Sequence, residues 1–118
     1  MSIRRIHPGP RMSQAAVHSG LVYLAGQVAD DPTADVAGQT RQILDKIDAV
    51  LAEAGSDKSL ILTATVWLSD ISTFAEMNSV WDVWVDKANP PPRATVEAKL
   101  AAPPYRVEIA VIAAIAQA

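Results

Sequence analysis

The chain has 118 residues, half of them hydrophobic, with a formal net charge of −3 and a sequence pI near 5.2. That length supports one domain, expected over residues 1–118, burying about two-thirds of its unfolded surface, and the apolar content excludes a disordered chain. The acidic balance leaves no electrostatic footprint for nucleic acid, the absence of cysteine removes disulfide and thiolate chemistry, and no apolar run is long enough for a membrane span or a signal-peptide core, so the cytoplasm is the expected compartment.

Residues 3–7 read as a short strand ended by "HPGP", and residues 12–18 and 21–26 as two strands around a turn at Ser19-Gly20. "ADDPTAD" is a loop. From Asp35 to Ala54 the period becomes helical: Val36, Thr40, Ile43, Leu44, Ile47, Val50, Leu51 and Ala54 share one face, and Gly55 stands where a helix-ending glycine belongs. Residues 60–69 alternate as a strand. Leu60, Leu62, Ala64, Val66 and Leu68 fall on one face and Ile61, Thr63, Thr65 and Trp67 on the other. A second helix is predicted over 72–87 with a stripe of Phe74, Met77, Val80, Trp81 and Trp84, stopped by "NPPP". Residues 93–98 and 106–115 complete the strands.

The order β-β-β-α-β-α-β-β predicts an α+β two-layer sandwich, a mixed sheet with both helices on one face. The last strand is apolar on both faces, and nothing else in the chain is left to cover the second. Self-association is the simplest cover, and it places Glu108 at or near a subunit interface.

The candidates for chemistry are few. Arg93 follows three prolines and opens a strand; a guanidinium there either binds a carboxylate bidentately or simply meets solvent. Glu108 interrupts a nearly continuous apolar strand, as a site carboxylate or as a partner for Arg106 or Lys99. Glu97 lies on the Arg93 face by strand period and reads as a structural ion-pair partner. Asn78 sits inside the apolar part of the second helix, where asparagine is mildly unfavourable unless it bonds something. Gly26 leaves a strand where its backbone N–H can meet an anion. His7 and His18 lack metal-ligand spacing, and no phosphate loop, nucleophile elbow or dinucleotide fingerprint is present. No metal or cofactor is expected.

The segments "LVYLAGQV", "DVAGQTRQILDKIDAVLAEAGSD", "ATVWLSDISTFAEMNSVWDVW", "PPPRATVEAKLA" and "YRVEIAVIA", in this order and spacing, resemble the Rid (YjgF-type) family of reactive-intermediate deaminases, from about Met12 to Ala114. The resemblance implies a chorismate-mutase-like α+β fold assembled as a homotrimer, with sheets forming a central barrel and a cleft at each subunit interface. It implies that Arg93 binds the substrate carboxylate and Glu108 positions or activates a water. Asn78, Thr95 and the backbone at Gly26 would line the cleft. The implied activity is hydrolysis of 2-imino acids such as the tautomer of 2-aminoacrylate to 2-keto acids and ammonia. A keto-acid binding module without turnover is the alternative; a ribonuclease or translation-inhibitor reading ranks last on charge. One departure stands out. Several members carry a cleft tyrosine near the start of the second strand; here the segment reads "RMSQAA" and the counterpart is Met12, which bears on substrate range more than on chemistry.

Overall fold

The computed structural model describes residues 2–116; Met1, Gln117 and Ala118, the ends of the expected 1–118 domain, lie outside the described residues. The elements in chain order are β1 (Arg4–Ile6), β2 (Ala15–His18), β3 (Leu21–Leu24), α1 (Val36–Ala54), β4 (Ile61–Leu68), α2 (Phe74–Trp84), β5 (Arg93–Glu97) and β6 (Val107–Ala114). The predicted order and both helices are present, with short 3-10 turns at Lys58–Leu60 and Ile71–Thr73.

Local chemistry sets the element ends. Ser19 (φ 52°) and Gly20 (φ 79°) are both left-handed, as a two-residue hairpin turn between twisted strands requires. The Asp35 carboxylate accepts the Gly38 N–H at 2.8 Å and caps α1. At the other end Gly55 turns left-handed (φ 83°), its N–H donating to the Ala52 carbonyl and that of Ser56 to the Leu51 carbonyl, which closes the last turn. The second helix is shorter than the predicted 72–87. Asp70 accepts the Ser72 N–H and makes a 3-10 turn first, and Val85 (ψ 143°) leaves the helix before the proline run.

All strands join one sheet in the order β1-β2-β3-β6-β4-β5. Only the β4–β5 pair is parallel. The last strand of the chain, β6, is therefore inserted between β3 and β4 and runs antiparallel to both, so Glu108 stands on an interior strand and Arg93 on an edge strand. The proline run before β5 suits that edge, where no N–H has to reach a further neighbour.

The helices cover one face. Val22, Leu24, Ala64, Val66, Leu68, Val107, Ile109, Val111 and Ala113 pack there against Ile43, Leu44, Ile47, Leu51, Met77 and Trp81. The predicted alternation in β4 fails at its start. A register shift between Ile61 and Thr63 bulges Leu62 outward, so Ile61 is buried and Leu62 is 48% exposed. An extra residue against one partner shifts the side-chain phase by one. The opposite sheet face carries Leu21, Tyr23, Thr63, Thr65, Trp67, Ala94, Val96, Glu108, Ala110 and Ile112, none of them fully buried. Among the described residues, no helix is long and apolar enough to cross a membrane.

Candidate active site

The two charged residues singled out by the sequence lie on opposite faces of the sheet. Arg93 pairs with Ala64, whose side chain is buried under the helices; Glu108 pairs with Trp67, on the open face. The Arg93 and Glu108 rows are three residues apart along the strands and two strands apart across them, about 10 Å in each direction by strand spacing. One copy of the chain does not bring them together.

Arg93 heads a cluster built by β5 and α2. Phe74, Asn78 and Trp81 fall on one face of α2 at i, i+4 and i+7. The guanidinium carbon of Arg93 lies 5.0 Å from the Trp81 ring centre and 5.7 Å from that of Phe74, a cation–π arrangement that holds the group against the helix. Among the described residues the guanidinium has no hydrogen-bonded or ion-paired partner. Burial pulls its pKa down, and the negative charge of Asp82 opposes the shift; the group stays cationic at neutral pH. Thr95 follows two residues later on the same strand face. Its Oγ1 and the Asn78 Oδ1 are both buried without a hydrogen-bond partner. Such orphaned polar atoms are uncommon in a folded protein and call for an explanation; here two of them accompany an unpaired cation.

Glu108 heads the second cluster. Just beyond β3, Gln27 and Ile109 exchange backbone hydrogen bonds of 2.8 and 3.1 Å, which pins Gly26 beside Glu108. The Gln27 side chain is buried and donates to Gln14 Oε1 and the Ala25 carbonyl, so this strand exit is held rigidly. A Cβ on Gly26 would lie 2.1 Å from Glu108 Oε2. Glycine is needed there because the carboxylate occupies the space a side chain would take. Glu108 also lines a depression of about 230 Å³ with Trp67 and residues 98–101. No ion pair joins it to Arg106 or Lys99 among the described residues.

The remaining candidates are elsewhere. Met12 is exposed in the loop before β2, its carbonyl accepting the Gly9 N–H. Glu97 is not an ion-pair partner of Arg93; it accepts the Ile71 N–H at 3.0 Å and ties β5 to the turn before α2. His7 contacts Glu53, and His18 contacts the Ser2 carbonyl.

Three residues with a part in the site escaped the sequence reading. Phe74 and Trp81 look like core mass, but they also form the platform under Arg93; their spacing around Asn78 was the available signal. Gln39 reads only as one more polar residue of α1. It is fully buried, donates to the Pro32, Ala34 and Pro104 carbonyls, and accepts the Arg106 N–H at 2.9 Å. It thereby clamps the segment that leads into Glu108, and no local pattern announces such a contact.

Comparison with known proteins identifies the family and the fold. The family described as Endoribonuclease L-PSP matches residues 2–115. A RutC family protein from Haemophilus influenzae is 49% identical over 114 residues, covering 96% of this chain and 98% of its own length. The RutC family protein YoaB from Escherichia coli is 44% identical, with 98% and 100% covered. A crystal structure of a YjgF family member from Neisseria meningitidis superposes with a TM-score of 0.97 at 45% identity, covering 100% of this chain and 98% of that one. With the family match running through nearly every described residue and the fold reproduced throughout, the chain belongs to the YjgF/RutC (Rid) family.

Proposed function

We propose that this protein hydrolyses reactive 2-imino acids, such as the imine tautomer of 2-aminoacrylate, to 2-keto acids and ammonia, at clefts formed between copies of the chain in a homotrimer. Membership of a family broadly linked to imine/enamine deaminase or endoribonuclease activity supports the reading. The observation that carries it is the split site. One sheet face carries Arg93, unpaired and flanked by two orphaned polar atoms, and the other carries Glu108 over Gly26. Each half is shaped for a ligand and neither is complete alone. A second copy laid on the open sheet face would supply the edge strand that bears Arg93.

In this reading Arg93 takes the substrate carboxylate through two parallel N–H donors, held at a fixed angle by Trp81 and Phe74. Asn78 and Thr95 meet the polar groups beside it. Glu108 orients a water on the imine carbon and accepts one of its protons. The new C–O bond pushes the C=N electrons onto nitrogen, which takes the proton from Glu108. Glu108 then carries the hydroxyl proton of the carbinolamine to nitrogen, the C–N bond breaks, ammonia leaves and the C=O bond forms. Proximity and one positioned acid/base group account for the acceleration such a reaction needs, and no covalent step on the enzyme is involved. The net charge of −3 weighs against a ribonuclease.

The test is to generate imino acids with an amino-acid oxidase beside the purified protein and follow keto-acid release above the spontaneous rate. Clear acceleration with small aliphatic imines is expected. Failure to exceed background with aliphatic, acidic and aromatic imines overturns the proposal and leaves a keto-acid binding module.

A further inference from the structure

The Glu108 depression has a larger neighbour. Its wall, residues 98–101, is also one side of a larger depression of about 550 Å³ that runs on to Ser69 and Tyr105. A three-carbon imine has six heavy atoms and fills only a fraction of that space, because a water-sized group needs about 30 Å³. Lys99 lines both depressions and is the one cation that does so. Its ammonium has no ion-pair or hydrogen-bond partner among the described residues. Glu97, the other charged residue of the larger depression, already accepts the Ile71 N–H. A substrate whose reacting carbon lies at Glu108 has residues 98–101 beside it, and the cation its side chain can meet there is Lys99; Glu97 keeps its negative charge but is tied to the Ile71 N–H.

We infer that the protein favours 2-imino acids whose side chain carries a second acidic group, with Lys99 as the residue that recognises that group. The inference rests on the proposed imine-hydrolysing site and names the substrate class that site prefers. Arg93 holds the carboxylate next to the imine carbon; Lys99 holds the distal one. Lys99 acts as an exposed point charge, so its contribution is modest and screened by salt.

Two measurements test this. The first compares kcat/KM for imines generated from aspartate and glutamate with that for the imine of alanine, in the parent protein and in Lys99→Gln. The second titrates 2-oxoglutarate and 2-oxobutyrate into the same two proteins by calorimetry and needs no turnover. The expected result is a preference of about 5-fold or more for the dicarboxylic compounds at low salt, a ratio near one in Lys99→Gln, and a preference that shrinks as salt is raised. Equal treatment of the two classes, a preference that survives Lys99→Gln, or a higher kcat/KM for aromatic imines overturns the inference while leaving imine hydrolysis standing. Absence of turnover on every imine, with the keto-acid preference and its loss in Lys99→Gln intact, has the opposite meaning: the hydrolase reading fails and the specificity of the site holds.

Discussion

Gly26 and Glu108 compete for the same space: the Glu108 carboxylate lies where a Gly26 side chain would begin, with Oε2 2.1 Å, Cδ 3.0 Å and Cγ 3.2 Å from that point. All three atoms belong to the outer part of a flexible side chain, and the Gly26 backbone itself is not left-handed. Gly26→Ala should therefore fold with a melting temperature close to that of the parent while swinging the carboxylate away from its present position. A fall in imine hydrolysis of about 10²-fold is expected, the scale of an ångström-sized misplacement. Parent-level turnover in a well-folded Gly26→Ala protein would show that the location of this carboxylate does not matter.

Glu108→Gln separates chemistry from binding. The amide keeps the size and much of the hydrogen bonding but loses the base. Turnover should drop by about 10² or more, whereas affinity for a keto acid, measured by calorimetry, should stay near that of the parent. A loss of only a few-fold would reduce Glu108 to a residue that orients water.

At Arg93 the decisive change is to lysine. Lysine retains the charge but not the planar fork, and an ammonium stacks less well between Trp81 and Phe74. Arg93→Lys should fold, because no hydrogen bond or ion pair of the parent is removed, and should bind keto acids about 10-fold or more weakly. Unchanged keto-acid affinity would make Arg93 a structural residue.

The open sheet face predicts the assembly. Light scattering at micromolar concentration should give three times the 12.6 kDa chain mass, the open face of one copy meeting the Arg93 edge of the next in head-to-tail contacts that close into a ring. Substituting an exposed residue of that face, Val96→Lys or Tyr23→Lys, should lower both the mass and the turnover. A clean monomer with full activity would remove the shared cleft.

Acid sensitivity has a local origin. The carboxylates of Asp57, Asp70 and Asp31 each hold a pKa below the ordinary 3.8, mainly through a side-chain hydroxyl two residues on and then through that residue's N–H. Their folded pKa values are depressed, so their stabilisation is fully present above the unfolded value near 3.8 and is lost as pH falls through the folded values. Asp57→Asn should flatten the acid limb of a stability-versus-pH curve below about pH 4 and leave the neutral region little changed in slope. An identical acid limb in Asp57→Asn would assign acid sensitivity to other groups.

Features decided by neighbouring residues were readable in the sequence. Asp35 and Gly55 bound α1 as expected, Ser19-Gly20 makes the hairpin turn, and the alternation of β6 divides its two faces correctly. Features decided by distant pairing were not. That Arg93 and Glu108 face opposite ways follows from the partners opposite them, Ala64 and Trp67, and strand register is a property of two strands together. The bulge at Leu62 reversed a phase that looked unambiguous. Gln39 gave no sign of its role because all of its partners but Pro32 and Ala34 lie more than sixty residues away.

The insertion of β6 between β3 and β4 also governs when the molecule can form. On a growing chain, β1 to β3 can pair as a meander and β4 with β5, but no backbone hydrogen bonding joins the two groups until the final strand arrives. Until then both β3 and β4 present an unpaired edge, and the apolar residues of α1 and α2 have only part of a sheet to rest on. Such edges recruit other chains. The sheet therefore stays in two separate parts until β6 is available to join them. A chain truncated before Val107 is expected to be a chaperone client, whereas pairing of β6 closes the sheet in one long-range step.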